Sequence, residues 1–556
     1  MNFERLDRRE FLKYILSSSS LLLTSNYLGL LSCSGKEIEK SLTNRKYFPQ
    51  SVASGDIYTF DDKSGGIIWT RVEPDPTNKL SELPVIYQLS EDRSFTKIVA
   101  QNVVKAIKDS DYTVKVNVSG LSPGKKYFYR FLYKGFLSPV GEFKTTSKNL
   151  DRVRFAFVSC DDYTNGFYSA YYHLANEDID FVVHLGDYIY ETVGTPTFQY
   201  AQERKIQLNE YGVAYNLSDY RNLYKIYKSD PNFQRVHERF PFYVIWDDHE
   251  FANDCAGSYS FDNGKEIYGS DLQEQRRLEA SRAYWEFLPC GGFFDQNSTK
   301  FKEQIRLYRS FRFGNLFHLI ITDERLYRDP HPCGESMLGE RYAARFCDNI
   351  ERTSMLGKEQ LDWFLKEIET AENEGVIWKV HANEVSLSQM ALSAGETKAF
   401  LNLDQWDGYA GERKRIFSFL KQKNIKNYFA ITGDLHTFVV GELYEDFSSL
   451  RDPVGVEFVA TSITSANLGS ILRIEDENVL RNIEGSLVEL NKNLKFFNSH
   501  YHGYCIVELT PEEAICELWK VSSIEEPEVE NTKKELVKRY RVIKNTNKIE
   551  DISPSL

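Results

Sequence analysis

Cys160, Asp187, Tyr190, Asp247, Asp248, His249, Asn383, Asp434 and His436 each stand at or just beyond the end of an apolar run. Between them they offer thiolate, carboxylate, phenolate, imidazole and amide donors. Thiolate, phenolate, imidazole and carboxylate together suit a trivalent or borderline transition metal, whereas carboxylate and amide oxygens suit calcium, magnesium or manganese. A lone Asp after a strand is ordinarily a cap or turn residue. Several in one region are different, because crowded carboxylates repel one another unless cations lie between them. Paired cations clamp both the attacking oxygen and the leaving side of a phosphoryl group, so the chemistry these residues suit is hydrolysis of a phosphate ester by a metal-activated water. His249, beside Asp248, would alone be read as a structural histidine. Arg325 either steadies a phosphate through its forked guanidinium or pairs with the adjacent Asp323 or Glu324. No Ser stands in a nucleophile-elbow context, so no covalent Ser intermediate is expected.

The elements that must position these groups are short, buried strands. V-R-F-A-F-V ends at Ser159-Cys160, F-V-V-H-L at Gly186-Asp187, and Y-V-I-W at Asp247 to Glu250. L-F-H-L-I-I runs to Asp323, V-I-W-K-V-H-A to Asn383, and Y-F-A-I-T to Gly433-Asp434. Helix-like segments such as 271–287 and 358–371 lie between them, so strands and helices alternate and an α/β sandwich is predicted. Ligands bind outside the carboxyl ends of such strands. Residues 46–148 read as an all-β unit instead. Within it L-S-P-G-K-K-Y-F-Y-R-F puts Tyr127 and Tyr129 after a Leu-x-Pro turn, like the tyrosine corner of a fibronectin-type sandwich. Residues 505–524 are predicted to be an edge hairpin turning at T-P-E-E.

The chain has 556 residues, and 68 basic against 81 acidic residues give a net charge of −13. A nucleic-acid-binding surface would need the opposite balance. With 42% hydrophobic and 14% aromatic residues the chain buries a large core, which excludes wholesale disorder. None of its 8 cysteines forms a C-x-x-C pair, so a zinc ribbon is excluded. Cys333 with Cys347, or Cys505 with Cys516, are the spacings that could bridge.

The ordered set S-V-A-S-G-D, S-C, H-L-G-D-Y-I-Y-E, I-W-D-D-H-E, M-L-G-K-E-Q-L-D-W, Q-W-D-G-Y, T-G-D-L-H, E-F-V-A-T-S-I-T-S and H-G-Y runs from Ser51 to Tyr504. It resembles the PhoD-type alkaline phosphatases of the calcineurin-like metallophosphoesterase superfamily. The resemblance implies a four-layer β-sandwich flanked by helices (149–524), preceded by a small fibronectin-like sandwich (46–148). It also implies a site holding iron(III) and one or two calcium ions, with other divalent metals as alternatives. Carried over by position, Asp187 bridges the metals, Cys160, Tyr190 and His436 hold iron, and Asp248 and Asp434 lie on the calcium side. Cys160 stands where the wider superfamily has its first metal-binding Asp. His249 matches the histidine that contacts phosphate and protonates the leaving group, and Asp247 and Glu250 orient their neighbours. Asn383 is a candidate calcium ligand. His381 and Glu384 depart from the family pattern, and add a ligand, alter the calcium site or simply pack. The implied substrate is a phosphate mono- or diester. The alternatives are a phospholipase- or nucleotidase-like phosphodiesterase on the same scaffold and, more remotely, a non-catalytic surface binding lipoprotein.

The N-terminus (1–33) reads as an export signal. Its D-R-R-E-F-L-K resembles a twin-arginine signal, and L-L-S-C-S resembles a lipoprotein processing site at Cys33. The expectation is passage through the twin-arginine export machinery to the periplasm or cell surface, with a lipid anchor at Cys33 and a polar tether over 34–45. The tail from 525 to 556 is dense in Glu and Lys. It is either a solvated end or, as the family implies, a helix that covers the site.

Overall fold

The computed structural model describes residues 43–60, 62–75, 77, 80–194, 199, 204–261, 270, 272–393 and 398–554. The signal segment, Cys33 and most of the tether lie outside the described residues. The six apolar runs are all strands, and they divide between two sheets. Val153–Val158, Phe181–Leu185 and Phe242–Ile245 are parallel neighbours in a ten-stranded sheet. Phe317–Ile321, Trp378–Asn383 and Tyr428–Thr432 are parallel neighbours in a seven-stranded sheet. Apart from a half-buried Arg154, every residue of these six strands is buried, which is why each reads as a continuous apolar run. The inner faces meet through aromatic rings: Phe317 stacks on Phe155 at 6.0 Å and on Phe181 at 6.3 Å between centroids. Helices Ser169–Leu174, Glu274–Phe287, Gly357–Asn373 and Ala410–Gln422 flank the sheets.

The small N-terminal sandwich shares a sheet with the larger α/β unit. Val52–Phe60 pairs in parallel with Phe242–Ile245 at Gly55, and carries Lys63–Arg71 and Thr113–Leu121 outward along the same ten-stranded sheet. Glu82–Ser90, Ile98–Ile107, Lys126–Tyr133, Phe136–Leu137 and Gly141–Lys144 form the second sheet of the sandwich. Gly55 is required at the junction, since a Cβ there would lie 2.3 Å from the Pro289 carbonyl and 2.4 Å from that of Phe242. The tyrosine corner is present: the Tyr127 hydroxyl accepts the Ser122 N–H at 3.0 Å.

Two readings of the C-terminal region are corrected. Residues 505–524 do form a hairpin, Gly503–Leu509 with Glu513–Val521, but it is not at an edge. Gly503–Leu509 pairs with Val153–Val158, and Glu513–Val521 pairs with Lys534–Ile543. The tail segment K-E-L-V-K-R-Y-R-V-I is therefore a strand, not a lid helix. Its charge suggested a solvated helix, but Tyr540 and Val542 are buried at period two, and the open edge of Glu513–Val521 offers a row of backbone partners. Truncation after Ser522 should accordingly lower the melting temperature and increase aggregation, because it re-opens that edge. Unchanged melting in differential scanning calorimetry would refute this role.

Of the two candidate disulfides, Cys333–Cys347 is formed. Cys505 and Cys516 are buried free thiols.

Candidate metal centre

The site lies where the carboxyl ends of the parallel strands of both sheets converge. Cys160, Asp187, Tyr190 and Asp247 to Glu250 follow strands of the ten-stranded sheet; Arg325, Asp434 and His436 follow strands of the seven-stranded one. Local backbone geometry is demanding here. Cys160, Asp187, Asp434 and His436 all have left-handed φ, at 65°, 56°, 63° and 52°. A non-glycine residue rarely adopts this conformation, and such residues persist where the surrounding structure enforces them, commonly at functional sites. The two G-D pairs have a steric cause. A Cβ on Gly186 would lie 2.3 Å from that of Asp247, and one on Gly433 would lie 2.8 Å from Ser159.

Three donor sets result, each with ligand atoms within 4.8 Å of one another: Cys160, Asp187 and His436; Asp187, Asp248 and His249; Asp247, Asp248 and Asp434. Asp187 belongs to two sets and Asp248 to two, so the sets form a chain of shared carboxylates. Tyr190 joins the first set through its hydroxyl, which donates to Asp187 Oδ2 at 3.0 Å and lies 3.2 Å from His436 Nε2. His436 Nδ1 lies 2.7 Å from the Ala466 carbonyl, so Nδ1 carries the proton and Nε2 is left as an acceptor. Burial lowers the His436 pKa to about 4, which keeps the ring neutral.

The electrostatics of the bare side chains are unfavourable. Burial, then the nearby Asp248, pushes the Asp187 carboxyl well above the usual carboxylate range. Burial, then Asp187, pushes the Cys160 thiol well above its ordinary value. Asp247 Oδ2 is buried without a hydrogen-bond partner. Thiol, phenol, neutral imidazole and carboxylates that resist ionisation when buried together are a donor set that multivalent cations would complete. The residues therefore fit the metals that the resemblance implies.

His249 is held differently. Its backbone N–H donates to Asp248 Oδ1 at 2.9 Å, and its Nδ1 lies 2.6 Å from Glu191 Oε2. Burial alone would lower its pKa. Asp248, Glu191 and Asp187 more than offset that, so the ring is held well above the ordinary histidine range. Its face lies against Tyr190, with centroids 4.1 Å apart. Glu250 accepts the backbone N–H groups of Asp187, Tyr188 and Asp247 at 3.1, 2.8 and 2.9 Å, and so ties the G-D-Y and D-D-H turns together.

A model of the PhoD-like phosphatase family matches residues 155–518, and one of the PhoD-like phosphatase N-terminal domain matches residues 33–147. The chain belongs to the PhoD-like phosphatase family. It is 33% identical over 474 residues to alkaline phosphatase D of Bacillus subtilis (strain 168), covering 84% of this chain and 76% of that protein. A solved structure of PhoD superposes with a TM-score of 0.79 at 29% identity, covering 92% of this chain and 93% of that one. Membership makes the chain a phosphoric ester hydrolase with an α/β metallophosphoesterase-like fold.

The remaining expected residues take other places. The amide of Asn383 donates from Nδ2 to Thr432 Oγ1 at 3.1 Å and to the Val385 carbonyl, while Oδ1 accepts from Trp406 Nε1 at 2.9 Å. Its polar atoms are thus used in packing, and the calcium-ligand reading has no support in these contacts. His381 is clasped by Thr322 and Tyr428 hydroxyls at 2.6 Å each, and burial lowers its pKa to about 3, so it packs as a neutral ring. Glu384 exchanges backbone N–H···Oε2 bonds with Glu324 at 3.0 Å in each direction. The Arg325 guanidinium pairs with neither Asp323 nor Glu324, although its backbone N–H donates to Asp323 Oδ1 at 3.1 Å; its ion-pair partners are Asp247, Asp404 and Asp434, with Asp248 at 4.0 Å. Three residues at the site were not singled out from sequence: Glu191, Asp404 and Gln405, whose Nε2 donates to Asp434 Oδ2 at 2.5 Å. Glu191 had a signal, being four residues beyond Asp187 in the same strand-end turn. Asp404 and Gln405 had none beyond their place in or beside Q-W-D-G-Y.

Proposed function

We propose that this chain is an exported, metal-dependent phosphatase or phosphodiesterase. In this reading iron(III) is held by Cys160, Asp187, Tyr190 and His436, and calcium by Asp187, Asp248 and Asp434. The observation that carries it is the chain of shared carboxylates, in which Asp187 and Asp248 each belong to two donor sets. Bound at these positions, the cations would neutralise the non-bridging phosphoryl oxygens and activate a water nucleophile.

The protein's own groups then have definite tasks. Glu191 fixes His249 through Nδ1, so the proton available to a departing alkoxide is on Nε2. Asp248, whose carboxyl stays below the usual range because His249 and Arg325 outweigh its burial, holds the ring charged. Glu250 and the left-handed turns fix the carboxylates before substrate arrives, so no reorganisation is needed at reaction. Passage through a twin-arginine route, a lipid anchor at Cys33 and a periplasmic or cell-surface location complete the proposal. Sequence supports them through D-R-R-E-F-L-K and L-L-S-C-S.

The test of the metal assignment is optical. Tyrosinate or thiolate bound to iron(III) absorbs visible light, so the purified enzyme should be coloured. Tyr190→Phe and Cys160→Ser should each shift or abolish the band, with iron measured in parallel. A colourless, iron-free and fully active preparation would overturn the iron assignment.

A further inference from the structure

Arg325 is fully buried, and its guanidinium is surrounded by carboxylates. Nε donates to Asp247 Oδ1. Nη1 donates to both oxygens of Asp404, at 3.0 and 2.8 Å. Nη2 donates to Asp434 Oδ1 at 2.8 Å and lies 4.0 Å from Asp248 Oδ1. A guanidinium has five N–H groups in a fixed fork. All three of its nitrogens are committed to Asp247, Asp404 and Asp434, with Asp248 beside Nη2, so the fork is not poised to take a phosphate.

Asp404 has a second guanidinium and an imidazole of its own. Arg328 Nη2 donates to its Oδ1 at 2.5 Å, and His331 Nε2 lies 2.8 Å from the same oxygen. The charge of Arg325 is therefore left to offset the other three carboxylates it faces, Asp247, Asp248 and Asp434. These three are also one of the donor sets whose atoms lie within 4.8 Å of one another. Without a positive charge among them, three buried carboxylates would repel strongly in a medium of low dielectric constant. Arg325 Nη2 holds Asp434 Oδ1 and Gln405 Nε2 holds Oδ2, so a divalent cation that takes Asp434 Oδ1 competes with the guanidinium for that oxygen.

We propose that Arg325 is the resident counter-ion of the Asp247–Asp248–Asp434 cluster: it keeps these carboxylates assembled before a divalent cation binds, and the cation displaces its Nη2 from Asp434. This rests on the reading of Asp248 and Asp434 as ligands of that cation. Its consequence is a site that is pre-formed without metal and binds calcium more weakly than its carboxylates would allow.

The test uses the full chain, stripped of calcium with EGTA and titrated with calcium alone in a calorimeter. Melting temperatures are read in EGTA and at saturating calcium. Arg325→Met removes the charge and adds no oxygen ligand. It should bind calcium roughly ten-fold or more tightly than wild type, and should lose far more melting temperature than wild type when calcium is removed. Arg325→Lys keeps the charge and should bind calcium within about three-fold of wild type. An Arg325→Met protein that folds only with calcium present also supports the proposal. It is overturned if Arg325→Met binds calcium no more tightly than wild type, if it remains unfolded at saturating calcium, or if Arg325→Lys tightens binding as much as Arg325→Met. Asp434→Asn separates the two readings: lost calcium binding there upholds the ligand assignment whatever Arg325→Met does, whereas unchanged binding removes that assignment and the inference with it.

Discussion

Asp187→Asn should lower kcat/KM for a phosphate ester by roughly four orders of magnitude, about 5 kcal/mol of transition-state stabilisation. The substitution is isosteric, and Asp187 carries two kinds of load. Its oxygens accept the Tyr190 hydroxyl at 3.0 Å and the His249 backbone N–H at 3.3 Å, which an amide oxygen and a re-oriented phenol could largely preserve. Its charge joins two of the donor sets, which an amide cannot do. Loss of activity should therefore come with loss of metal in elemental analysis, not with unfolding. The metal-free variant should be as stable as metal-free wild type, or more so. The sign follows from the raised carboxyl: a group whose folded pKa lies above its unfolded value contributes stability below the unfolded pKa and loses it as pH rises through the folded one. Metal-free wild type should thus lose stability as pH rises out of the ordinary Asp range, and Asp187→Asn should lack that part of the slope. Hydrolysis by Asp187→Asn within ten-fold of wild type would sink the assignment of Asp187 as the shared ligand.

The second large effect concerns His249. Replacement by Ala should cost about 10²–10⁴-fold in kcat on an alkyl phosphate, whose leaving alkoxide needs a proton. On a p-nitrophenyl ester the cost should be much smaller, because that phenolate departs without one. The discriminating quantity is the ratio of the two losses, which a purely structural defect would not change. Glu191→Gln should reproduce the same selectivity at smaller amplitude, since it weakens the hold on Nδ1 and removes one of the carboxylates that keep the ring charged. Equal losses on both esters in His249→Ala would remove His249 as the acid.

How much of this was legible in the sequence depends on range. The six strands at the centre were legible because a strand buried on both faces reads as a largely apolar run, and its end is marked by a cluster of Cys, Asp, His or Asn. The site residues at those ends were legible for the same reason, helped by Gly186 and Gly433, which close contacts demand. The tail was not legible. Its Lys and Glu residues match a solvated helix, and only the unpaired edge of Glu513–Val521, contributed by a different hairpin, selects the strand. His381 and Glu384, standing in a site stretch, suggested ligands. Hydroxyls from Thr322 and Tyr428 and the carboxyl of Glu324 claim them instead, and no local pattern announces those partners.

The sequence by itself determined the strand ends, their chemistry and the order in which they occur, because these follow from local burial and from the sterics of adjacent residues. Tertiary structure alone decided which ends share a sheet, which carboxylates share a cation set, and where the Arg325 fork points. Arg325 lies 78 residues from Asp247, 79 from Asp404 and 109 from Asp434 along the chain. Charges that far apart in sequence interact only once folding has brought them together and excluded the water that would otherwise screen them.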